Sequence, residues 1–506
     1  MKILPVEKTG EADRFTIEHE PIADIDLMER AAGACFQWFA TNIPPSSKIK
    51  IFCGTGNNGG DGLAFARMLC TAGYKTVVYI AGSESRFSSN ALTNFHRAEE
   101  IQEITLLFLK EGEDVNFQIE EGEIVIDALF GSGLSRKIEG FYERIILKIN
   151  ESHGVIVSID VPSGLFCDES MAGFDSPPVI MADHTLTFAP PKLAFFFPEN
   201  EQYVGELHLL EIGIHPAFLE LVQVRNFLIL QEDCRKLLRR RNQFAHKGNF
   251  GHALLIAGSY GKTGAAVLAT RAVIRAGVGL VTTHLPKSGI SIIQTCVPEG
   301  MVDADEDEHI FTGFSDLSKY SAIGIGPGIG QAIQTQKALK LLIQESHVPL
   351  VLDADALNIL GENRTWLSFL PKGSILTPHM KEFERVAGKT NNDFDRNRVQ
   401  CEFSVKYGVY VVLKGAHTAI TTPEGHCFFN STGNPGMATG GSGDTLTGII
   451  TALLAQGYPS LESAILGVYL HGLAGDFAAS ETGEEALIAS DIIDYLGKAF
   501  KSLYHD

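Results

Sequence analysis

Short β-branched apolar runs alternate along the chain with segments whose apolar residues recur at helical spacing. Residues 22–40 carry Leu27, Met28, Ala31, Ala32 and Cys35 on one side, which predicts an amphipathic helix opening the fold. Residues 48–53 then read as a strand, 54–62 as a glycine-rich turn, 63–69 as a helix and 76–80 as the next strand. That order makes a βαβ unit of a parallel sheet, with a ligand expected at the carboxyl end of its first strand. Two more apolar runs, 124–127 and 155–160, each end in an acid followed by small residues. Asp127 precedes Ala128 and Asp160 precedes Val161, Pro162, Ser163 and Gly164. Three such strand ends on one sheet edge describe a site.

The stretch holding Pro177, Pro178, Pro190 and Pro191 reads as loop, and Gly213, Ile214, His215 and Pro216 close the first unit. A short basic helix with Arg235, Lys236, Arg239, Arg240 and Arg241 follows, which places the boundary between units 1–224 and 225–506. Strands are predicted at 251–257, 279–283, 322–325, 349–352, 374–379 and 410–418, again separated by helical patterns and again ending in glycine or acid. Gly261, Lys262 and Thr263 invite a P-loop reading. Gly258 leaves two residues before that glycine and lysine where the pattern needs four, so only a glycine-rich turn at a helix start is retained.

Near the C-terminus, residues 434–444 place Gly436, Gly440, Gly441 and Gly443 before an apolar helix at 445–454. A glycine-rich turn feeding a helix presents unpaired backbone N–H groups backed by the positive end of the helix dipole. Each N–H bond to a charged phosphate is worth about 1.5–3 kcal/mol. Asp444 would repel that anion. It either takes a proton from an attacking hydroxyl or caps the helix.

Bulk composition narrows the partners. With 506 residues at roughly 150 per domain, two to four domains can each bury a core. Lys and Arg number 41 against 61 Asp and Glu, a net charge of −20, which excludes nucleic acid or an anionic membrane as the main partner. The arginine run is accordingly read as a solvated face or an inter-domain surface. Eight scattered cysteines without a CxxC pair read as free thiols in a reducing, cytoplasmic compartment. No window approaches the ~20 apolar residues of a membrane helix.

These motifs carry a resemblance over almost the whole chain. GTGNNGGDG, DALFGSGLSR and SIDVPSGL in the first half resemble the NAD(P)H-hydrate epimerase family. GPGIG, LDADALN, TPHMKE, KGAHT and NPGMATGGSGD in the second half resemble the ADP/ATP-dependent NAD(P)H-hydrate dehydratases, a branch of the ribokinase-like fold. In this order they resemble the bacterial bifunctional NAD(P)H-hydrate repair family. The resemblance implies an α/β protein, with an N-terminal Rossmann-like three-layer domain and a C-terminal ribokinase-like three-layer domain. It implies an isomerase that interconverts the (R)- and (S)-hydrates of NADH and NADPH at C6. It also implies a lyase that uses ADP to dehydrate the S form, giving AMP and phosphate. A homo-oligomer is expected. The alternative is a ribokinase-like small-molecule kinase fused to a Rossmann-like binding module.

The resemblance also implies roles for particular residues. A potassium ion would be held by Asn58, Asp127 and Ser163, an all-oxygen set that suits a hard cation. Asn57, Asn58, Gly59, Gly60 and Asp61, with Gly131, Ser132, Gly133, Leu134, Ser135, Arg136, Lys137 and Tyr142, would bind the epimerase substrate. Asp160 would do acid–base work beside the nicotinamide or, on the plainer reading, cap its turn. In the second unit Asp444 would be the base. Lys414, Gly415, Ala416, His417, Thr418 and Gly443 would bind ADP, and Gly264, Gly328 and His379 would line the hydrate pocket. His379 also reads as an ordinary hydrogen-bonded loop residue. Asp353 and Asp355 either reach Mg2+ through water or merely end a strand. Lys381 departs from the glycine usual before the glutamate of the TPH…E motif, which bears on Glu382.

Overall fold

The computed structural model describes residues 1–504. It divides into two compact units, one of residues 2–224 with 392–394, the other of Met1, 225–391 and the described residues from 395 on. The first contains a seven-stranded sheet built from β1 (Lys48–Cys53), β2 (Lys75–Ala81), β3 (Thr105–Leu109), β4 (Ile124–Ala128), β5 (Val155–Ile159), β6 (His184–Phe188) and β7 (Glu206–Leu210). Their order across the sheet is β3-β2-β1-β4-β5-β6-β7, and every neighbouring pair is parallel. Apolar residues fill both faces. Ile49, Ile51 and Cys53 pack into one core with Phe39 and Phe65, while Phe52 and Val125 pack into the other with Ile145 and Ile149. Helices covering both faces explain why these strands read as continuous apolar runs rather than alternating ones.

The second unit carries a ten-stranded sheet of β8 (Asn226–Leu228), β9 (His252–Ile256), β10 (Leu280–Leu285), β11 (Met301–Ala304), β12 (Ala322–Ile325), β13 (Leu350–Leu352), β14 (Ile375–Leu376), β15 (Tyr410–Leu413), β16 (Ala419–Thr421) and β17 (Cys427–Phe429). The order is β11-β10-β9-β12-β13-β14-β15-β16-β17-β8, with only the pairs on either side of β16 antiparallel. Strand order reverses direction between β1 and β4 in the first sheet and between β9 and β12 in the second. Parallel sheets open a crevice at such a switch point, outside the carboxyl ends of the strands.

Several elements differ from the sequence expectation. A helix at Val6–His19 precedes the expected opening helix, which runs Asp24–Asn42. The helix after β1 begins at Asn57, and the C-terminal one at Ser442. Each therefore starts inside its glycine-rich stretch, because glycine is tolerated in a first turn where close packing demands it. Strand β6 lies between the two proline pairs that mark its surroundings as loop, and the basic helix stops at Leu237, before the arginine run. Arg239 instead stacks over Tyr458 at 4.3 Å.

Gly59 shows why the first glycine loop is built as it is. A Cβ there would stand 1.8 Å from the Gly54 carbonyl oxygen, whereas one at Gly56 meets nothing within 4 Å. Gly59→Ala is expected to destabilise the first unit by roughly 2–4 kcal/mol and Gly56→Ala by under about 1 kcal/mol. Calorimetric melting of the two variants checks this.

Two candidate active sites

At the switch point of the first sheet, the loops after β1 and β4 border a cavity of about 640 Å³. Asn57, Asn58, Asp61, Gly131, Ser132, Gly133, Leu134, Ser135, Arg136, Tyr142 and Asp160 line it. Gly59, Gly60 and Lys137 do not. The two glycines are buried in packing, Gly60 facing the Met28 thioether, and the Lys137 ammonium stands 6.0 Å over the Phe174 ring.

Asp127 lies beneath this floor, fully buried at the end of β4. Its Oδ1 accepts from the Ser163 hydroxyl (2.6 Å) and the Leu129 N–H (3.2 Å), and its Oδ2 from the Ser158 hydroxyl and the Ser163 N–H, both at 2.8 Å. Burial pushes its pKa up while those donors pull it back. The Ser163 Oγ is 3.2 Å from the Phe130 carbonyl oxygen. Both polar atoms of the Asn58 side chain, which lies against Gly131, are buried without a hydrogen-bond partner.

Asp160 follows β5 with φ +65°, a left-handed conformation uncommon for aspartate, fixed by its N–H bond to the Leu186 carbonyl at 2.8 Å. Its Oδ2 accepts from the Ser132 N–H at 3.1 Å, and its Oδ1 is 2.5 Å from the buried Lys192 ammonium. Asp61 and Asp13 share the cavity. Burial, then the Asp160 charge, raises Asp13 to about 6, and burial with Asp160 and Asp13 raises Asp61 well above the carboxylate range. One carboxylate is thus ion-paired while its neighbours are pushed toward their protonated forms by burial and its charge. Lys192 was missed by sequence reasoning. Its signal was its place just after β6, on the edge that singled out Asp127 and Asp160.

In the second unit the loops after β9, β12 and β13 meet. The Gly258 N–H bonds the Pro327 carbonyl at 2.7 Å, and the Ser259 hydroxyl bonds that of Gly328 at 2.7 Å. Gly328 has φ +66°, and a Cβ there would stand 3.1 Å from the Lys262 Cβ, so this close crossing needs glycine. Gly264 lies in the first turn of the helix Thr263–Arg275. Lys262, set aside with the P-loop, reaches Asp355 Oδ2 at 3.3 Å. Burial raises Asp355, but the Gln331 amide, the Gly330 N–H and Lys262 together hold it below the ordinary carboxylate range.

Asp353, 1% exposed, takes the Lys414 ammonium at 2.7 Å and the Thr447 hydroxyl at 2.8 Å. Gly443 lies against this pair, where a Cβ would stand 3.3 Å from the Lys414 Nζ. Asp444 is the next residue, in the first turn of the helix Ser442–Ala455, whose N-cap Gly441 has φ +92°. Burial, then the Asp353 charge, pushes Asp444 up to about 6 against the pull of Lys414. Lys414, Gly415, Ala416, His417 and Thr418 form the turn between β15 and β16, with the His417 Nδ1 3.1 Å from the Asn430 carbonyl oxygen.

His379 is beside Lys414 through an isolated parallel bridge. It caps the helix Met380–Ala387: Nδ1 accepts from the Lys381 and Glu382 N–H groups, and Glu382 Oε2 accepts from the His379 N–H at 2.9 Å. Glu382, 4% exposed, takes part in this capping box, and Lys381 contributes its backbone N–H to the cap.

Residues 24–194 match the family model described as YjeF-related protein N-terminus, and residues 253–498 the model described as NAD(P)H-hydrate dehydratase. The bifunctional NAD(P)H-hydrate repair enzyme of Moorella thermoacetica is 35% identical over 99% of this chain and 97% of its own. The enzyme of the same name from Thermofilum pendens is 34% identical over 100% and 97%. Among solved structures, the Bacillus subtilis ADP/ATP-dependent NAD(P)H-hydrate dehydratase co-crystallised with ATP/Mg2+ is 32% identical, covering 54% of this chain and 97% of its own, with a TM-score of 0.49.

Because Asp444 is raised when folded, the native state favours its proton. Relative to an unperturbed aspartate, a penalty develops as pH rises from about 4 and is complete above about 6. Asp444→Asn is expected to stabilise the second unit by on the order of 1–2 kcal/mol at pH 8 and negligibly at pH 4. Urea unfolding at the two pH values measures the difference.

Proposed function

The chain belongs to the bifunctional NAD(P)H-hydrate repair enzyme family, and from that premise we propose that residues 1–224 epimerise NADH and NADPH hydrates at C6 while residues 225–506 dehydrate the S form with ADP. The observation that carries the reading is the pairing of each switch-point site with an acid suited to its reaction. Asp61, its pKa raised by burial and by the Asp160 charge, shares the first cavity with the Asp160–Lys192 ion pair. Asp444 stands next to the Asp353–Lys414 pair at a helix N-terminus in the second.

In the first site the N–H groups opening the helix Asn57–Thr71, with residues 131–136, would take the substrate's phosphates. Asp61 would give a proton to the departing C6 hydroxyl as the ring-nitrogen lone pair forms a planar C6=N1 cation. Asp160, held by Lys192, would face that cation and take a proton from water returning to the other face. An alkali cation would be held by the neighbouring oxygen atoms. The unpartnered Asn58 amide can turn its oxygen to it, and Asp127, Ser163 and the Phe130 carbonyl complete an oxygen set suited to K+. Such an ion would fix the loop and the charge beside Asp160.

In the second site residues 414–418 would bind ADP, and the N–H groups of residues 440–443 would face its β-phosphate. Asp444 would take the C6 hydroxyl proton as that oxygen attacks phosphorus. The bond to AMP breaks, and C6 now carries phosphate, a far better leaving group than hydroxide. The ring nitrogen expels it, and loss of a C5 proton restores the double bond. Gly328, Gly264 and His379 would border the dihydronicotinamide. Mg2+ would arrive on the phosphates and meet Asp353 and Asp355 only through water, since both oxygens of each already accept protein donors. The eight free cysteines support a reducing, cytoplasmic setting, and no helix among the described residues is long and apolar enough to cross a membrane.

Incubation with hydrated NADH and ADP tests the reading through the absorbance of reduced nicotinamide. Full recovery from an R/S mixture is expected. Absence of recovery, with phosphorylation of a free sugar or pyrimidine alcohol instead, would establish the kinase alternative. Asp444→Asn should lose about 10²–10⁴-fold in dehydration and leave epimerisation intact. Asp160→Asn should slow epimerisation by a similar factor while the S epimer is still consumed. Epimerisation by Asp160→Asn at the parent rate would remove Asp160 from the chemistry.

A further inference from the structure

Both sites above lie at the carboxyl ends of strands. At the opposite, amino end of the seven-stranded sheet, β6 and the edge strand β7 carry a cluster that neither site uses. Strand register sets His184 beside Glu206 and Leu186 beside His208. Period-two alternation puts Glu206 and His208 on one face of β7, and His184 completes a triangle with them. The His184 Nδ1 is 3.1 Å from the His208 Nε2. The Glu206 Oε2 is 3.4 Å from the first nitrogen and 3.9 Å from the second.

A point about 2.0 Å from all three atoms exists within that triangle, and Zn–N and Zn–carboxylate bonds are about 2.0–2.2 Å. An ion displaced slightly from the ligand plane keeps those lengths and leaves a fourth position for water. Two imidazoles with one carboxylate suit zinc, cobalt, nickel or copper and are a poor set for magnesium or calcium. The Trp38 ring lies against both imidazoles, with centroids 5.3 Å from His184 and 4.6 Å from His208. The histidine side chains are 27% and 18% exposed, while that of Glu206 is 69% exposed. Two rings are thus held in place and the carboxylate is free to close.

We propose that His184, Glu206 and His208 form a divalent transition-metal site of the zinc class that clips β7 to β6. A clip here has a structural use. β7 is an edge strand bonded on one side only, and the residues that follow it, Ile212 and Ile214, form part of the wall of the first cavity. The same geometry also arises if the two rings share a proton, so metal binding itself must be measured.

The experiment uses the untagged full-length chain, stripped of metal and titrated with Co2+. The readouts are visible d–d absorption, equilibrium dialysis and Trp38 fluorescence. Trp366 is the other tryptophan of the chain, so a Trp366→Phe background isolates the Trp38 signal. One equivalent of Co2+ is expected to bind with a visible spectrum and quenching of Trp38, and Zn2+ to displace it. His184→Gln and His208→Gln should each weaken binding at least about tenfold, with unchanged circular dichroism and unchanged ADP-dependent dehydration. Zn2+ should raise the melting temperature of the parent but not of these variants. Failure of the parent to bind, or equal binding by both histidine variants, would overturn the site and leave a shared proton as the reason for the contact.

Discussion

Burying a carboxylate away from water is costly unless donors surround it, and the protein meets that demand at the end of a central strand in each unit. Asp127 and Asp353 hold neighbouring loops because they must be satisfied. Asp127 draws in Leu129, Ser158 and Ser163, which fixes the two loops that floor the first cavity. Asp353 draws in Lys414 from the turn after β15 and Thr447 from the helix behind it, so turn and helix start meet at one point. The donors differ in charge. Asp127 is bonded by neutral groups, the Ser158 and Ser163 hydroxyls and the Leu129 and Ser163 N–H groups. Asp353 is matched by an ammonium, which holds Lys414 beside Gly443.

Each site then sets a further carboxylate against an unfavourable field. Asp61 and Asp13 feel Asp160, and Asp444 feels Asp353 and Asp355. Repulsion and burial together raise the pKa of these groups, so each carboxylate binds a proton more readily than it would in water. The fold gives up stability to keep them there, the usual relation between a strained site and its function. Glycine makes the crowding possible. At Gly443 a side chain would meet the lysine, and at Gly328 it would press on the chain that carries Lys262.

The two proposed activities belong together chemically. Hydration at C6 creates a stereocentre, and a phosphoryl-transfer site that positions one hydroxyl in line with phosphorus excludes the other epimer. An epimerase turns the excluded form into substrate without needing ADP, so one polypeptide can return both epimers to the reduced cofactor.

Much of this was legible in the chain. Apolar runs ending in Asp127, Asp160 and Asp353 announced parallel strands and the edge on which ligands gather, because strand geometry and glycine chemistry are local. The glycine-rich stretch before Asp444 announced a helix start for the same reason. Partners separated by long intervals were not legible. Lys192 meets Asp160 only because β6 lies next to β5, and Lys414 meets Asp353 only because the sheet sets β15 two strands from β13. His379 and Glu382 also cap a helix, a pairing that the motif alone did not announce. Residue types and periodicity determined the elements, their class and the edge that would carry chemistry. Burial and strand order decided which acid has its pKa raised and which is held by a lysine, since both depend on charges that only the folded chain brings within a few ångströms.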